Sequence, residues 1–238
     1  MIGVVVPIHN EAARLRACLG AIAAAAAHPA LAGEAVRVVA VLDCCDDASA
    51  SIARACGADS VVVDARNVGR ARAAGAGQAL EAGARWLAFT DADTRVYPDW
   101  LAAQLALAAE ADAVCGTVTV EDWSAHGWHA QALAERFARR YQARDGHRHI
   151  HGANLGASAA AYRMAGGFAP LACSEDVTLV EALKACGARI AWSAAPRVAT
   201  SARTDARCRG GFGDTLLALG GELAAAASGG PPPRPLVS

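Results

Sequence analysis

The segment Asp91-Ala92-Asp93-Thr94 carries two carboxylates one residue apart, directly after an apolar run. Mg²⁺ and Mn²⁺ prefer hard oxygen ligands and commonly complete their coordination with water and phosphate oxygens. If the backbone bends after the apolar run, Asp91 and Asp93 can both turn toward one cation. A solvated turn is the other interpretation, because Asp is common in turns. By itself the pattern indicates either a divalent-cation site or a turn.

Two more polar groups follow apolar runs in the first fifth of the chain, PIHNE at 7–11 and DCCDD at 43–47. Asp43 could accept a hydrogen bond from a base or a sugar. Asp46 and Asp47 are better interpreted as caps of the next helix. Glu11 could be a carboxylate stabilised at a helix N-terminus or a ligand contact. The decision depends on whether the polar groups meet in space.

Alternating apolar strands and helices are predicted to bring these groups together. The predicted strands are Ile2–Ile8, Val36–Leu42, Ser60–Asp64 and Trp86–Thr90, and the predicted helices are Glu11–Ala27, Asp47–Cys56, Gly69–Gly83 and Pro98–Glu110. Such alternation is typical of an α/β protein with a mixed, mostly parallel central sheet and helices on both faces. Ligands bind at the carboxyl ends of the strands in such sheets. Three of the four predicted strands end in a polar group.

The second half of the chain has a less regular pattern. The predicted elements are a strand at Ala113–Val120, a helix at Ala130–Ala143, a glycine-rich strand or turn at Ile150–Ala161, a helix at Ser174–Cys186, a strand at Arg189–Trp192 and a helix at Thr215–Ala227. We expect one domain over residues 1–227, with a nucleotide-binding half at 1–112 and an acceptor half at 113–227. Residues 228–238, SGGPPPRPLVS, have the composition of a disordered tail.

Composition limits the possible partners and the compartment. The formal net charge of −1 over 238 residues gives no reason to expect a nucleic-acid partner. The first residues, MIGVVVPIHNE, lack the basic region of a secretion signal, and no run is long enough to span a bilayer. Eight cysteines without a secretion signal are expected to be reduced thiols. We therefore predict a cytoplasmic protein, and the oligomeric state is left open.

Six motifs in order along the chain carry a family resemblance. They are PIHNE, the strand that ends at Asp43, NVGRARAAG at 67–75, DADT, GANLG at 152–156 and SEDVTL at 174–179. Together they resemble the family 2 glycosyltransferases, which have the GT-A nucleotide-diphospho-sugar transferase fold. A final segment, TSARTDARCRGGFG from Thr200, is similar to a Thr-Ser-x-Arg stretch in some small bacterial members.

The resemblance implies a donor site for a nucleoside-diphosphate sugar. Its residues would be Pro7, His9, Glu11, Asp43, Asn67, Gly69, Arg70, Arg72, Asp91, Ala92, Asp93, Asn154, Arg203 and Arg207. Asp43 would face the base, and Asp91 would contact the ribose or a metal-bound water. Asp93 would bind the Mg²⁺ or Mn²⁺ that bridges the diphosphate. The glycine at 69 would permit a close backbone approach.

The acidic pair Glu175 and Asp176 matches the catalytic position of the family, with Asp176 as the general base. An inverting transfer needs a carboxylate that accepts the proton of the acceptor hydroxyl. Arg203, Arg207 and the cation would stabilise the leaving diphosphate. From the residues alone, the favoured interpretation is that the pair begins a helix, since it follows Ser174 and precedes an apolar run.

The acceptor side is less defined. His151, beside GANLG, and Trp123 are candidate acceptor contacts, and the other histidines, in HxxH and HxHxH, are not expected to form a zinc site. The apolar helix from Thr215 could also contact a membrane surface, although packing on its own domain is the simpler account. The Gln-x-x-Arg-Trp signature of processive members is absent, so a single addition is favoured. A sugar-phosphate nucleotidyltransferase and an inactive nucleotide-sugar-binding protein are the alternatives.

Overall fold

The computed structural model describes residues 1–204 and 212–227. In these ranges the strands are β1 Ile2–Ile8, β2 Val36–Asp43, β3 Asp59–Val63, β4 Trp86–Phe89, β5 Arg95–Val96, β6 Ala113–Thr119, β7 Leu155–Ser158 and β8 Ile190–Ala199. The helices are α1 Ala12–Ala26, α2 Ser49–Ala55, α3 Val68–Glu81, α4 Trp100–Leu107, α5 Ala130–Arg140, α6 Ala159–Met164, α7 Glu175–Ala185 and α8 Phe212–Ala227. Short 3₁₀ turns lie at Pro29–Leu31, Ser124–His129 and Gly152–Asn154.

The chain divides into two compact units. The first comprises Met1–Thr119 and Ala143–Thr200, and it contains every strand of the described residues. The second comprises Val120–Gln142 and Ser201–Ser238, and within it α5 packs on α8. The tail predicted at 228–238 and Arg207 lie outside the described residues.

One mixed sheet forms the centre of the first unit, in the order β3-β2-β1-β4-β7-β6-β8-β5. The pairs β3–β2, β2–β1, β1–β4 and β6–β8 are parallel, whereas β4–β7, β7–β6 and β8–β5 are antiparallel. The middle of β1, from Val4 to Val6, is fully buried, as expected for a parallel strand covered on both faces. The predicted fold class is confirmed.

Because β1, β2 and β4 run parallel in register, their carboxyl ends open onto the same edge of the sheet. Ile8 is opposite Leu42, and Val5 is opposite Phe89. Helix α3 lies close over these strands, since a Cβ on Gly75 would be 2.7 Å from Val41 Cγ2. The edge is therefore lined by the segments that follow the three strands and by the start of α3.

Several predicted elements have different bounds in the structure, and two of the differences have a clear physical cause. The helix expected from Pro98 starts at Trp100, because β5 pairs with β8 and a turn from Tyr97 to Trp100 must follow before the helix can begin. Strand β8 runs on to Ala199 rather than ending at Trp192. Its pairing with β6 is irregular where β6 passes Gly116, and Pro196 is tolerated there because a bulge does not need its missing N–H.

Candidate active site

The DADT turn lies directly beyond β4. The N–H of Thr94 donates to the carbonyl of Asp91 at 3.1 Å, which closes the turn. Asp91 and Asp93 are partly exposed, whereas Ala92 and Thr94 are buried. Alternation along the turn therefore points two carboxylates toward the edge of the sheet. The side chain of Ala92 belongs to the core, so only its backbone could contact a ligand.

Arg72, on α3, is the most buried charge near this edge, at 2% exposure. Its Nη2 donates to Asp91 Oδ1 at 2.6 Å, and its Nε donates to Glu175 Oε1 at 3.1 Å. Its Nη1 donates to the carbonyl of Gly152 at 2.8 Å. Burial lowers the pKa of the guanidinium, but the charges of Asp91, Glu175 and Asp176 outweigh that effect and raise it. The side chain predicted to approach the ribose and diphosphate is thus held inside the protein.

Gly152 connects Arg72 to the acidic pair. Its carbonyl accepts from Arg72, and its N–H donates to Asp176 Oδ2 at 2.7 Å. A Cβ at this position would lie 2.8 Å from Arg72 Cζ, so only glycine leaves room for the guanidinium. We call Arg72, Asp91, Gly152, Glu175 and Asp176 the Arg72 cluster.

The two residues of the acidic pair have different environments. Glu175 is buried against Arg72, and burial raises its pKa more than the arginine lowers it, with Asp176 adding a further rise. Asp176 is partly exposed, and its Oδ1 also accepts from the N–H of Val177 at 2.8 Å. Ser174, which precedes the pair at φ 59°, makes no side-chain cap. Of the two, only Asp176 has the exposure that an acceptor hydroxyl requires.

Asp43, predicted to face a base, has its carboxylate occupied by the protein. Oδ1 accepts from the N–H groups of Ala65 and Arg66 at 2.8 and 2.9 Å, and Oδ2 accepts from Asn67 N–H at 2.9 Å. Burial acts to raise the pKa of Asp43, but these three donors hold it below its usual value. Asp43 therefore fixes the loop between β3 and α3.

The segment after β1 is also tied to the segment after β2. His9 is exposed, and its Nδ1 lies 2.7 Å from the carbonyl of Asp43. Asn10, at φ 53°, exchanges hydrogen bonds with Asp46 through its side chain. Asp47 accepts from the N–H groups of Ala12 and Ser49 at 2.9 Å each. Asp47 thus bonds the first residues of α1 and α2, although the N-cap position of α2 is Ala48, and Asp46 pairs with Asn10.

Glu11 is buried at the start of α1, with its carboxylate 3.8 Å from Arg14, and Pro7 is half-buried in β1. Beneath the DADT turn, the buried Cys18 donates its thiol to the carbonyl of Asp91 at 3.3 Å. Its pKa is raised by burial and by the charges of Asp91, Asp93 and Glu11. The same thiol therefore experiences all three carboxylates. Nothing in the sequence pattern distinguished Cys18 from the other apolar positions of α1.

The start of α3 contacts the protein itself. Asn67 is the N-cap, with Oδ1 accepting from Arg70 N–H at 2.9 Å and Nδ2 donating to the carbonyl of Pro170 at 3.1 Å. A Cβ on Gly69 would lie 2.8 Å from the carbonyl oxygen of Leu171. Gly69 therefore allows the approach of this protein segment, a different reason from the predicted approach of a diphosphate. Arg70 is exposed.

Asn154, implied as a donor contact, is a structural residue. It is 1% exposed, and its Nδ2 donates to the carbonyls of Thr117 and Pro196, both at 2.8 Å. Its Oδ1 accepts from Trp100 Nε1 at 2.8 Å. Both amide donors and the carbonyl of the Asn154 side chain are therefore bonded inside the core, which differs from the predicted contact with the donor.

The candidates for the acceptor side lie in both units. His151, in the first, has a pKa lowered to about 3 by burial and by His149 and His147, so its ring is neutral near pH 7. Trp123 and Arg203 belong to the second unit. Trp123 packs with Phe137, with 5.6 Å between ring centroids, as a core aromatic would.

Comparison with known proteins identifies the family. The sequence profile of glycosyl transferase family 2 matches residues 3–165, more than half of the 238-residue chain. The chain belongs to glycosyl transferase family 2. The match includes the DADT turn, Arg72 and Gly152, and ends before the acidic pair. Among curated proteins no match is found.

Solved structures of family 2 glycosyltransferases have the same fold. Staphylococcus aureus TarS 1–349, in complex with UDP-GlcNAc, is 16% identical with a TM-score of 0.64, covering 92% of this chain and 65% of that one. Glucosyl-3-phosphoglycerate synthase from Mycobacterium tuberculosis, in complex with Mn²⁺, UDP and glucosyl-3-phosphoglycerate, is 20% identical with a TM-score of 0.59, covering 97% and 81%. The chain thus spans less than two thirds of the TarS fragment, and 39% of a longer TarS structure.

The family 2 site offers a limited set of metal ligands. Among residues 1–204 and 212–227, no group of three or more His, Cys, Asp or Glu side chains is arranged to hold a metal ion. Two partly exposed carboxylates, Asp91 and Asp93, still fit a Mg²⁺ or Mn²⁺ ion that takes its other ligands from water and phosphate. In the part of the chain that is described, no helix has the length and apolarity to cross a bilayer.

Proposed function

We propose that this protein transfers a glycosyl group from a nucleoside-diphosphate sugar to an acceptor hydroxyl. The observation that carries the proposal is the pairing, through Arg72 and Gly152, of a carboxylate at the tip of β4 with a second carboxylate at the start of α7. One carboxylate then lies on the donor side and the other is available as a base. Family 2 membership favours this reaction over nucleotidyl transfer.

On the donor side, Asp93 and Asp91 would hold a Mg²⁺ or Mn²⁺ ion. Such an ion, when bound, supplies positive charge to the diphosphate oxygens of the donor. Solved relatives in complex with UDP-GlcNAc, or with Mn²⁺ and UDP, support a nucleoside diphosphate as the ligand. His9 and Arg70 are the exposed side chains on this edge that could contact it, and Arg203 and Arg207 remain proposed contacts for the leaving diphosphate.

On the acceptor side, Asp176 would act as the general base. Its carboxylate accepts the proton of the acceptor hydroxyl as that oxygen attacks the anomeric carbon and the bond to the diphosphate breaks. A single displacement of this kind inverts the anomeric configuration. Two hydrogen bonds from backbone N–H groups, those of Gly152 and Val177, orient the carboxylate. Glu175, which pairs with Arg72, takes no part in proton transfer.

We further propose a single addition, since the processive signature is absent from the sequence. Residues 1–112 would bind the donor and residues 113–227 would supply the acceptor side, including Asp176. His151 would contact the acceptor as a neutral ring, consistent with its lowered pKa, and a cytoplasmic location fits the proposed use of a nucleotide sugar.

The test is calorimetric titration with UDP, GDP, CDP, ADP and dTDP, with Mn²⁺ or Mg²⁺ and then with EDTA. Metal-dependent binding of at least one of them is expected. Release of nucleoside diphosphate is then measured over a panel of the corresponding nucleotide sugars. No binding of any diphosphate by the folded protein would contradict the proposal. Binding without turnover, with acceptor hydroxyls of several classes supplied, would identify an inactive binding protein.

A further inference from the structure

One buried guanidinium joins three distant parts of the chain. Arg72, on α3, bonds Asp91 after β4, Gly152 before β7 and Glu175 at the start of α7. These partners are separated from it by 19, 80 and 103 positions along the chain. Each nitrogen of the guanidinium makes a different one of the three bonds. A side chain with this arrangement sets the spacing of the segments that it joins.

Arg72 is connected to Asp176 indirectly, through Glu175 and through Gly152. Glu175 precedes Asp176 in the first turn of α7, so the Arg72–Glu175 pair fixes the start of that helix. The carbonyl of Gly152 accepts from Arg72, while the N–H of Gly152 donates to Asp176 Oδ2. At the same time Arg72 holds Asp91 directly at 2.6 Å.

The surroundings keep this guanidinium in place. Its Cζ lies 5.7 Å from the centroid of the Phe168 ring, and the backbone at Gly152 packs so closely against it that a Cβ there would lie 2.8 Å from Cζ. Two carboxylates, Asp91 and Glu175, balance its charge by direct contact, as a buried charge requires. The planar fork of arginine can bond several acceptors in fixed directions, which the compact ammonium of lysine cannot do.

We propose that Arg72 is a positioning residue that sets the distance and orientation of Asp176 relative to Asp91, and that it does not contact the donor. This inference rests on the proposed function. It reassigns the arginine of the NVGRARAAG motif from donor binding to the alignment of the two carboxylates. Arg72 acts on catalysis only through Asp91, Gly152 and Glu175.

The test is Arg72→Lys, which keeps the charge and loses the fork. We expect turnover of the nucleotide-sugar panel to fall about 10- to 100-fold, because a shift of about 1 Å in a reacting group has an effect of that size. The dissociation constant for the Mn²⁺-dependent diphosphate should change less than about threefold, since Asp93 is still present to hold the cation and Arg72 itself is proposed to make no donor contact. Arg85→Lys is the matched control, because Arg85 pairs with Glu34 at the opposite end of β4. It should leave both quantities unchanged.

A double-variant cycle separates positioning from direct contact. If Arg72 acts through Asp176, then Arg72→Lys should add little to the loss already caused by Asp176→Asn. The proposal would be overturned if the double variant lost turnover by the product of the two single losses. It would also be overturned if diphosphate affinity in Arg72→Lys fell as far as turnover, because that would show direct donor contact. A wild type that neither binds a diphosphate nor turns over a nucleotide sugar would instead contradict the proposed function, and the positioning role with it.

If Arg72→Lys does not fold, Gly152→Ala tests the Arg72 cluster through the backbone group that Arg72 bonds. The added Cβ displaces the guanidinium without removing any charge. We expect turnover to fall at least about tenfold with diphosphate affinity retained. Normal turnover in a folded Gly152→Ala protein would overturn the proposal.

Discussion

The segments after β2 and after β4 are both rich in aspartate, and both open onto the same edge of the sheet, but their carboxylates have different partners. After β2, Asp43 and Asp47 accept backbone N–H groups, and Asp46 pairs with Asn10. We call these three residues the β2 turn. Its carboxylates hold loops and helix starts together, and little of their bonding capacity is left for a ligand.

After β4, a hydrogen bond between two backbone groups closes the turn. The N–H of Thr94 donates to the backbone carbonyl of Asp91, and the carboxylate of Asp91 is left to Arg72. Asp93 remains partly exposed. The number of acidic residues therefore does not distinguish a binding turn from a structural one. The two kinds of turn differ in the hydrogen-bond donors that surround each carboxylate.

The largest difference in turnover is expected between Asp176→Asn in the Arg72 cluster and Asp47→Asn in the β2 turn. Asparagine cannot accept a proton, so Asp176→Asn should lower turnover about 100- to 10,000-fold. Its amide oxygen can still accept from Gly152, but its NH₂ group then faces the N–H of Val177, so the melting temperature should also fall. Asp47→Asn should lower the melting temperature as well but leave turnover normal. Equal effects of the two variants on turnover would remove the distinction between the regions.

The next largest effect is on folding, in Asp43→Asn. One of the two oxygens becomes an NH₂ group facing a backbone donor, and we expect a loss of about 2–3 kcal/mol in the free energy of unfolding. The pKa of Asp43 is lowered in the folded protein, so its contribution is present above the ordinary value of 3.8 and disappears as pH falls through the folded pKa. Denaturant titrations should show the two proteins converging below pH 4. A constant gap across this range would contradict the assignment.

In Glu175→Gln the pH dependence of the free energy of unfolding should have the opposite sign and a smaller size than in Asp43→Asn. Burial raises the pKa of Glu175, so its contribution is greatest below the ordinary value of 4.5 and is lost as pH rises through the folded pKa. The free energy of unfolding of Glu175→Gln relative to wild type should therefore increase with pH above that value. A relative stability that falls with rising pH would show that Arg72 determines the net shift.

The smallest effect is expected for Asp46→Ala. Its side chain is exposed and bonds only the Asn10 amide within the described contacts, so the free energy of unfolding should fall by less than about 1 kcal/mol. Urea denaturation is precise enough to measure this. A loss as large as that of Asp43→Asn would mean that the Asn10–Asp46 pair holds the two segments together.

Local patterns in the sequence were sufficient for most strands and for the position of the polar groups. Strand β1 is a run rich in β-branched residues and has the predicted bounds, and DADT follows the short apolar run of β4 at a strand end, as predicted. The partners of the polar side chains could not be predicted in this way. Asn154 is bonded to Trp100, Thr117 and Pro196, which are far apart in the sequence and meet only in the folded chain.

The burial of Arg72 could not be predicted for the same reason. Its motif suggested a phosphate contact, whereas its burial depends on carboxylates 19 and 103 positions away. Gly69 likewise needs its small size for the segment at Leu171, which follows 102 positions later.

The most direct test of the difference between the two turns is Mn²⁺-dependent binding of the diphosphate selected from the panel, measured by calorimetry for Asp93→Asn and Asp47→Asn. Both variants remove one negative charge at the same sheet edge. Asp93→Asn should lose the metal-dependent part of the affinity, a weakening of at least about tenfold, while folded Asp47→Asn binds as the wild type does. Equal weakening in both variants, or none in Asp93→Asn, would contradict the account.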